Sequence, residues 1–337
     1  MGVWLIVLAG MMYGMTVLGG VTRLTHAGLS IPEWKPVKGI VPPLSQEAWQ
    51  RAFDAYQQFP EFRELRSDMK LEEFQRIYWI EYTHRLLGRL IAVVFALPFL
   101  WFWIKGRLTR RRALALGAIF MAGGLQGAIG WFMVKSGLSD NPRVSPYRLT
   151  LHLSVAVLLY LATLDMARRV FIPLRPPVTP LPRWPARLIL GLIYLQLLSG
   201  GLVAGHHAGV AFPALISGAV AGAWLPELGP RNLFDNVLTL LLFHVSLAIV
   251  IAMASLAWGL QVLRLKAGNW SLKLFWLVLV LQLALGWITA WNYSESPPVV
   301  FASLHQAVGL LLITAAFLMV RFPGPTTQRV VPNALVT

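Results

Sequence analysis

Four of the seven histidines lie inside long apolar segments: His84, His152, His244 and His305. A single imidazole in such a segment is as easily a hydrogen-bonding residue as a metal ligand. These four recur as one pair in each half of the chain, which favours ligation. Two neutral imidazoles from different helices, facing each other across a helix bundle, are suitable axial ligands for a haem iron. The pairs therefore predict haem binding, and copper or zinc stays open as the alternative metal.

Small residues accompany all four histidines. The residue four positions later, on the same face of a helix, is Gly88, Ala156, Ala248 or Gly309. Small side chains leave room for a flat macrocycle, and they are also favoured where membrane helices pack closely. Their recurrence supports the haem interpretation.

The segment IEYTHRLLGRLIAV (80–93) carries several charges on the face of its histidine. On a helical wheel, Glu81, His84, Arg85 and Gly88 share an arc of about 100°, and Arg89 lies at its edge. One interpretation is an i,i+4 pair of Glu81 and Arg85 that neutralises itself. In the other interpretation Arg85 or Arg89 binds haem propionates, because a guanidinium fork suits a carboxylate.

Comparison with the second half separates these charges from the histidines. The equivalent segment there is LLFHVSLA, in which Leu241 replaces Glu81 and Val245 replaces Arg85. The halves share the candidate ligands but not the charges. This asymmetry is expected if one site does chemistry while the other feeds electrons, and it makes Glu81 the candidate catalytic residue.

The elements that position these residues are membrane helices. The chain is 57% hydrophobic and 13% charged, with a mean hydropathy of +0.63. Its net charge of +15 comes from Lys and Arg clustered between apolar runs, which indicates membrane topology rather than nucleic-acid binding. The absence of cysteine excludes disulfides, iron–sulfur clusters and thiolate metal sites.

Eight apolar runs are long enough to cross a bilayer. The distribution of Lys and Arg places both termini in the cytoplasm and the long loop 21–78 outside, so we expect a multi-pass protein of the cell inner membrane. The first run is interpreted as a retained helix, and the loop as a cap with two amphipathic helices, SQEAWQRAFDAYQQF and KLEEFQRIY. The predicted spans are 2–20, 79–104, 113–134, 148–170, 185–205, 236–262, 273–291 and 299–320.

An internal repeat relates the two halves. GGVTRLTHAG (19–28) aligns without gaps with GGLVAGHHAG (200–209), and QGAIGW (126–131) aligns with QLALGW (282–287). The sequence therefore predicts an all-α integral membrane protein whose eight transmembrane helices form two tandem pseudo-symmetric four-helix bundles, 1–170 and 185–320. Each half crosses an even number of times, so the pseudo-symmetry axis is expected along the membrane normal.

Several segments together resemble haem A synthase, specifically the cysteine-free type of mitochondria and alphaproteobacteria. They are GGVTRLTHAGLSIPEWKPVKGIVPP, EYTHRLLGRL, QGAIGWFMVKSGL, VSPYRLTLHLSVA and LHQAVGLLL. The resemblance covers about residues 3–320 and implies oxidation of a methyl group of haem O to the formyl group of haem A, which terminal oxidases need.

The resemblance also implies roles for individual residues. His84 and His152 would bracket the substrate haem O in the first bundle, and His244 and His305 would ligate haem b in the second. Glu81 matches the essential acid of the family. The implied partners are haem O, the lipid bilayer, a haem O synthase, a terminal oxidase assembly factor and a second copy of the chain.

The sequence departs from the family at three places. Val245 stands where members usually have Arg, and HHAGVAFPALISGAV differs from the usual loop. His26, His206 and His207 match no family ligand and are interpreted as loop residues. Two other functions remain as alternatives: a dihaem b-type electron carrier linked to quinones, and a proton-coupled transporter that uses Glu81 and the histidines as a relay.

Overall fold

A computed structural model describes residues 1–34, 38–139, 142–171, 183–219, 221–265, 270–294 and 296–321. Over these ranges the regular structure is helical, without strands. Eight helices are long and apolar enough to cross a membrane, which confirms the predicted all-α fold. In chain order the α-helices are α1 (Gly2–Leu24), α2 (Gln46–Tyr56), α3 (Leu71–Ile104), α4 (Arg110–Lys135), α5 (Pro146–Phe171), α6 (Trp184–Gly205), α7 (Phe212–Ile216), α8 (Asn232–Asp235), α9 (Val237–Arg264), α10 (Trp270–Trp291) and α11 (Val299–Arg321).

The long loop differs from its prediction at one point. The first amphipathic helix is present as α2, capped by the Ser45 hydroxyl, which accepts from the Ala48 amide at 3.2 Å. The second, KLEEFQRIY, is not a separate helix but the beginning of α3. No Gly or Pro interrupts the sequence between Leu71 and Glu81, so the helix propagates into the apolar span without a break.

Residues of the loop form an apolar core of their own. The side chains of Ala27, Phe53, Tyr56, Phe74 and Ile77 are buried together, so α2 and the first turns of α3 pack as one unit. This arrangement holds the chain that follows α1 beside the start of α3.

The helices of each half have the same neighbours. In the first half α1 and α4 each contact α3 and α5, and in the second half α6 and α10 each contact α9 and α11. Between the halves, α1 contacts α11 and α5 contacts α6. The first helix of each half therefore meets the last helix of the other.

Two tyrosines bridge the halves at equivalent positions, six residues before each Gly-Gly pair. The Tyr13 hydroxyl donates to the carbonyl oxygen of Ala307 at 3.0 Å. The Tyr194 hydroxyl donates to the carbonyl oxygen of Ser154 at 3.4 Å and lies 2.5 Å from the hydroxyl of the same serine. Ala307 and Ser154 each follow a candidate ligand by two residues, so these contacts fix two of the histidine-bearing helices, α11 and α5, against the first helix of the other half.

Candidate functional site

Each candidate histidine lies against a glycine of the neighbouring helix. A methyl group added at that glycine would be between 3.0 and 3.2 Å from an imidazole atom, closer than side chains ordinarily pack. With glycine at these positions the ring has this space, whereas a larger residue would require the ring to move by a few tenths of an ångström. The four pairs are Gly19–His84, Gly130–His152, Gly200–His244 and Gly286–His305.

These glycines follow the internal repeat. Gly19 aligns with Gly200, and Gly130 aligns with Gly286, so both halves hold their imidazoles in the same way. Sequence reasoning pointed instead to the small residues on the histidine helices themselves. Of those, a Cβ at Gly88 would lie 3.3 Å from Met15, and a Cβ at Gly309 would lie 3.3 Å from the side-chain amide of Gln282. The aligned repeat segments were the signal that could have identified the neighbouring glycines.

The structure brings the histidines together in the predicted pairs. His84 and His152 are close enough to interact electrostatically, and so are His244 and His305. The amide of Gln196 donates to the carbonyl oxygen of His244 at 3.0 Å, and the Ser199 hydroxyl lies 2.8 Å from Nδ1 of the same residue. The contact from Ser199 orients that ring.

The other histidine of each half has a glutamine beside it. Gln126 donates to the carbonyl oxygen of His152 at 2.8 Å, and Nε2 of Gln282 lies 3.3 Å from Nε2 of His305. Nδ1 of His152 and Nδ1 of His305 are buried and have no hydrogen-bond partner among the described residues. Such nitrogens are suited to gaining a partner when a ligand enters.

The donor set fits haem better than zinc. Zinc is normally held by three or four protein side chains. Among the residues that the structure describes, no group of three or more His, Asp or Glu could hold a metal ion. Two imidazoles suffice for haem iron, because the macrocycle supplies the remaining nitrogens. The glycine-backed imidazole pairs meet that requirement in both halves.

Glu81 is buried, and both of its carboxylate oxygens are hydrogen-bonded. Oε2 accepts from the Ser30 hydroxyl at 2.7 Å and from the Ile31 amide at 2.8 Å. Oε1 accepts from Nη2 of Arg85 at 2.5 Å. The predicted i,i+4 pair is therefore present, and it binds a distant segment that no local pattern indicated.

Arg85 completes this attachment. Its guanidinium donates to the carbonyl oxygens of Ile31 at 2.6 Å and Glu33 at 2.9 Å. Segment 30–34 is thus held along α3 at the level of the candidate ligand His84. Arg85 serves the loop in this structure, so a propionate contact from it remains a prediction, as does one from the partly buried Arg89.

The histidines that were assigned to loops are ordered at the ends of two helices. His26 follows α1 and His207 follows α6, both in the left-handed region with φ of 53° and 54°. Their rings stack 5.7 Å apart, and Nη2 of Arg23 lies 2.9 Å from Nε2 of His207. Burial, aided by the Arg23 charge, lowers the pKa of both imidazoles to about 4. They form a neutral contact between the halves and lie outside any three-ligand cluster among the described residues.

Glu61, in the long loop, is a buried acid that sequence reasoning missed. Its side chain is 3% exposed and accepts a hydrogen bond from the Tyr56 hydroxyl at 3.2 Å. Burial raises the pKa of this carboxyl to about 7, although the nearby Arg66 opposes the shift. Nothing in the segment EFREL distinguishes Glu61 from the exposed Glu64, because the fold of the loop decides which is buried.

Comparison with known proteins places this site in a family. A family model described as cytochrome oxidase assembly protein, COX15-CtaA, matches residues 2–317. A heme A synthase of Nitrosomonas eutropha is 41% identical over 95% of this chain and 92% of its own length. Those of Rhodopseudomonas palustris strain HaA2 and Rhodospirillum centenum are 40% and 44% identical, over 99% and 79% of this chain and 93% and 73% of their own lengths. No solved structure matches. The chain belongs to the COX15-CtaA family.

Proposed function

We propose that this chain is a haem A synthase, a membrane oxidoreductase that converts a methyl group of haem O into the formyl group of haem A for terminal oxidase biogenesis. The observation that carries the proposal is the duplicated, glycine-backed pair of histidines in a chain about 40% identical to heme A synthases over nearly its whole length. A carboxylate in only one half gives the two sites different chemistry.

The two sites take different haems in this proposal. His84 and His152 bind the substrate haem O in a first bundle, 1–170, while His244 and His305 bind haem b in a second bundle, 185–320. The matching helix neighbours of the two halves, and the equivalent tyrosine bonds between them, support two tandem bundles of the same orientation. When bound, haem b supplies one-electron transfer to and from the substrate site.

Glu81 is the catalytic residue of this proposal. Its carboxylate is fixed by three donors on α3 and the loop, three residues before the ligand His84. A preorganised negative charge of this kind stabilises positive charge that develops on the substrate during oxidation. Segment 30–34, held by Glu81 and Arg85, keeps bulk water away from that position.

The partners and location follow from this chemistry. The chain is a multi-pass protein of the inner membrane, with both termini in the cytoplasm. Haem O arrives from a haem O synthase, and the product leaves with a terminal oxidase assembly factor. The eight spans and the bacterial relatives support this placement. The basic connection 105–112 joins the C-terminal end of α3 to the N-terminal end of α4 and supports a cytoplasmic position for both ends.

The test is analysis of extracted haems. The chain is expressed with a source of haem O, purified, and its haems are separated by chromatography. Haem A is expected from the unaltered chain and not from Glu81→Gln. The matched control is Thr83→Ala, because Thr83 is exposed and its hydroxyl bonds only to its own helix in the described structure. A folded, haem-loaded protein that yields no haem A would refute the proposal and favour a dihaem electron carrier.

A further inference from the structure

Gln306 joins the two halves beside a candidate ligand. Its Nε2 donates to the carbonyl oxygen of Thr16 on α1 at 2.7 Å. Its Oε1 occupies the place where a side chain at Gly20 would begin, so a Cβ there would overlap it. The amide therefore lies directly on the backbone of α1.

The contact reaches the histidine of the other half through two consecutive residues. Gly20 touches Gln306, and Gly19 supports the imidazole of His84, whose Nε2 is 3.1 Å from the position of a Cβ at Gly19. Gln306 in turn directly follows His305. His84 and His305 are thus connected through the backbone of Gly19 and Gly20 and the side chain of Gln306.

The first half has no matching hydrogen bond among the described residues. Leu153 directly follows His152 at the position equivalent to Gln306, and it packs against the apolar core of the second half. Thr150 is the residue that touches Gly201, and its hydroxyl donates to the carbonyl oxygen of Pro146 on its own helix at 2.9 Å. Among the described residues this polar contact is made only by the second half, just as the carboxylate of Glu81 is present only in the first half.

We propose that Gln306 is a positioning residue that couples the two histidine pairs. It fixes the turn of α11 that carries His305 against Gly20, next to the glycine, Gly19, on which the His84 ring lies. Packed backbone contacts of this kind leave little room for independent movement, so a displacement of the His84 ring on ligand binding reaches His305. The inference rests on the proposed function, in which those histidines ligate haem O and haem b.

The experiment measures one site while the other is filled. Protein purified with haem b is titrated with haem O, and the optical spectrum and midpoint potential of haem b are recorded at each step. In the unaltered chain, filling the first site is expected to shift both. Gln306→Leu, which introduces the residue of the first half, is expected to keep its haem b and lose the shift.

A second variant and a control separate coupling from packing. Gly20→Ala displaces the Gln306 side chain from α1 and leaves the sequence of α11 unchanged, and it is expected to reproduce the loss of the shift. Thr314→Val is the control, because Thr314 lies 2.8 Å from the Tyr160 hydroxyl of the other half but nine residues beyond His305. It is expected to keep the shift.

Each outcome bears on the inference. A shift of normal size in Gln306→Leu, or no shift in the unaltered chain while haem A still forms, would overturn it. Loss of haem b from both Gln306→Leu and Gly20→Ala would also overturn it, since the contact would then be needed only for folding. A chain that forms no haem A and shows no second haem site contradicts the proposed function itself.

Discussion

Breaking the ion pair between Arg85 and Glu81 should release segment 30–34 from α3. The pair is 2.5 Å long, and the side chains are 15% and 3% exposed. Removing one partner of a buried pair costs about 3–5 kcal/mol, because the other charge is left buried and uncompensated. Arg85 is partly solvated, so the lower end applies, and Arg85→Gln is expected to lower the free energy of opening this segment by about 3 kcal/mol.

Limited proteolysis measures that opening. When opening and closing are fast, cleavage tracks the population of the open form, and about 3 kcal/mol corresponds to a rate increase of roughly 150-fold. Cleavage between residues 25 and 44 is mapped by mass spectrometry in protein reconstituted in lipid. Thr83→Ala, on the same helix but exposed, should leave the rate unchanged.

A double-mutant cycle tests whether the two side chains act as a pair. In the double variant Glu81→Gln/Arg85→Gln no charge is left unpaired, so its effect should be smaller than the sum of the single effects by at least about 1.5 kcal/mol. Effects that add to within about 0.5 kcal/mol would show that the two side chains act independently on the loop and would refute this reasoning.

Three further predictions concern the glycine contacts, the buried acid and the loop. Gly200→Ala should lower the haem content because its methyl group would lie 3.2 Å from an imidazole, whereas Gly191→Ala on the same helix, with nothing within 4 Å, should leave the ratio of haem to protein unchanged. Glu61→Gln should raise the melting temperature at pH 8 but little at pH 5, with Glu64→Gln as the exposed control. The reason is that a folded-state pKa of about 7 exceeds the ordinary 4.5, so the folded state binds more protons and stability falls as pH rises from 4.5 to about 7. Ser30→Ala removes a 2.7 Å hydrogen bond to a carboxylate, worth about 1.5–3 kcal/mol, and should lower the yield of haem A relative to haem O by at least about tenfold if that bond positions Glu81 for the reaction.

The membrane spans and the candidate ligands could be predicted from the sequence. A bilayer requires about 20 apolar residues in each helix, a local property that a single sequence displays. The eight observed helices coincide with those spans, although α3 begins at Leu71 rather than at residue 79. The repeat and the paired histidines, including His84 and His305, were likewise visible because they depend on residue type and spacing.

Which residues from distant parts of the chain contact these side chains was decided only by the tertiary structure. The helix wheel grouped Glu81 with Arg85, but not with Ser30, which lies 51 positions away in the chain. The same holds for the glycines behind the imidazoles, the stacked pair His26 and His207, and the buried Glu61. Such contacts join segments that are distant in sequence. Every face of a membrane helix is compatible with lipid, so close packing and hydrogen bonding determine which helices associate.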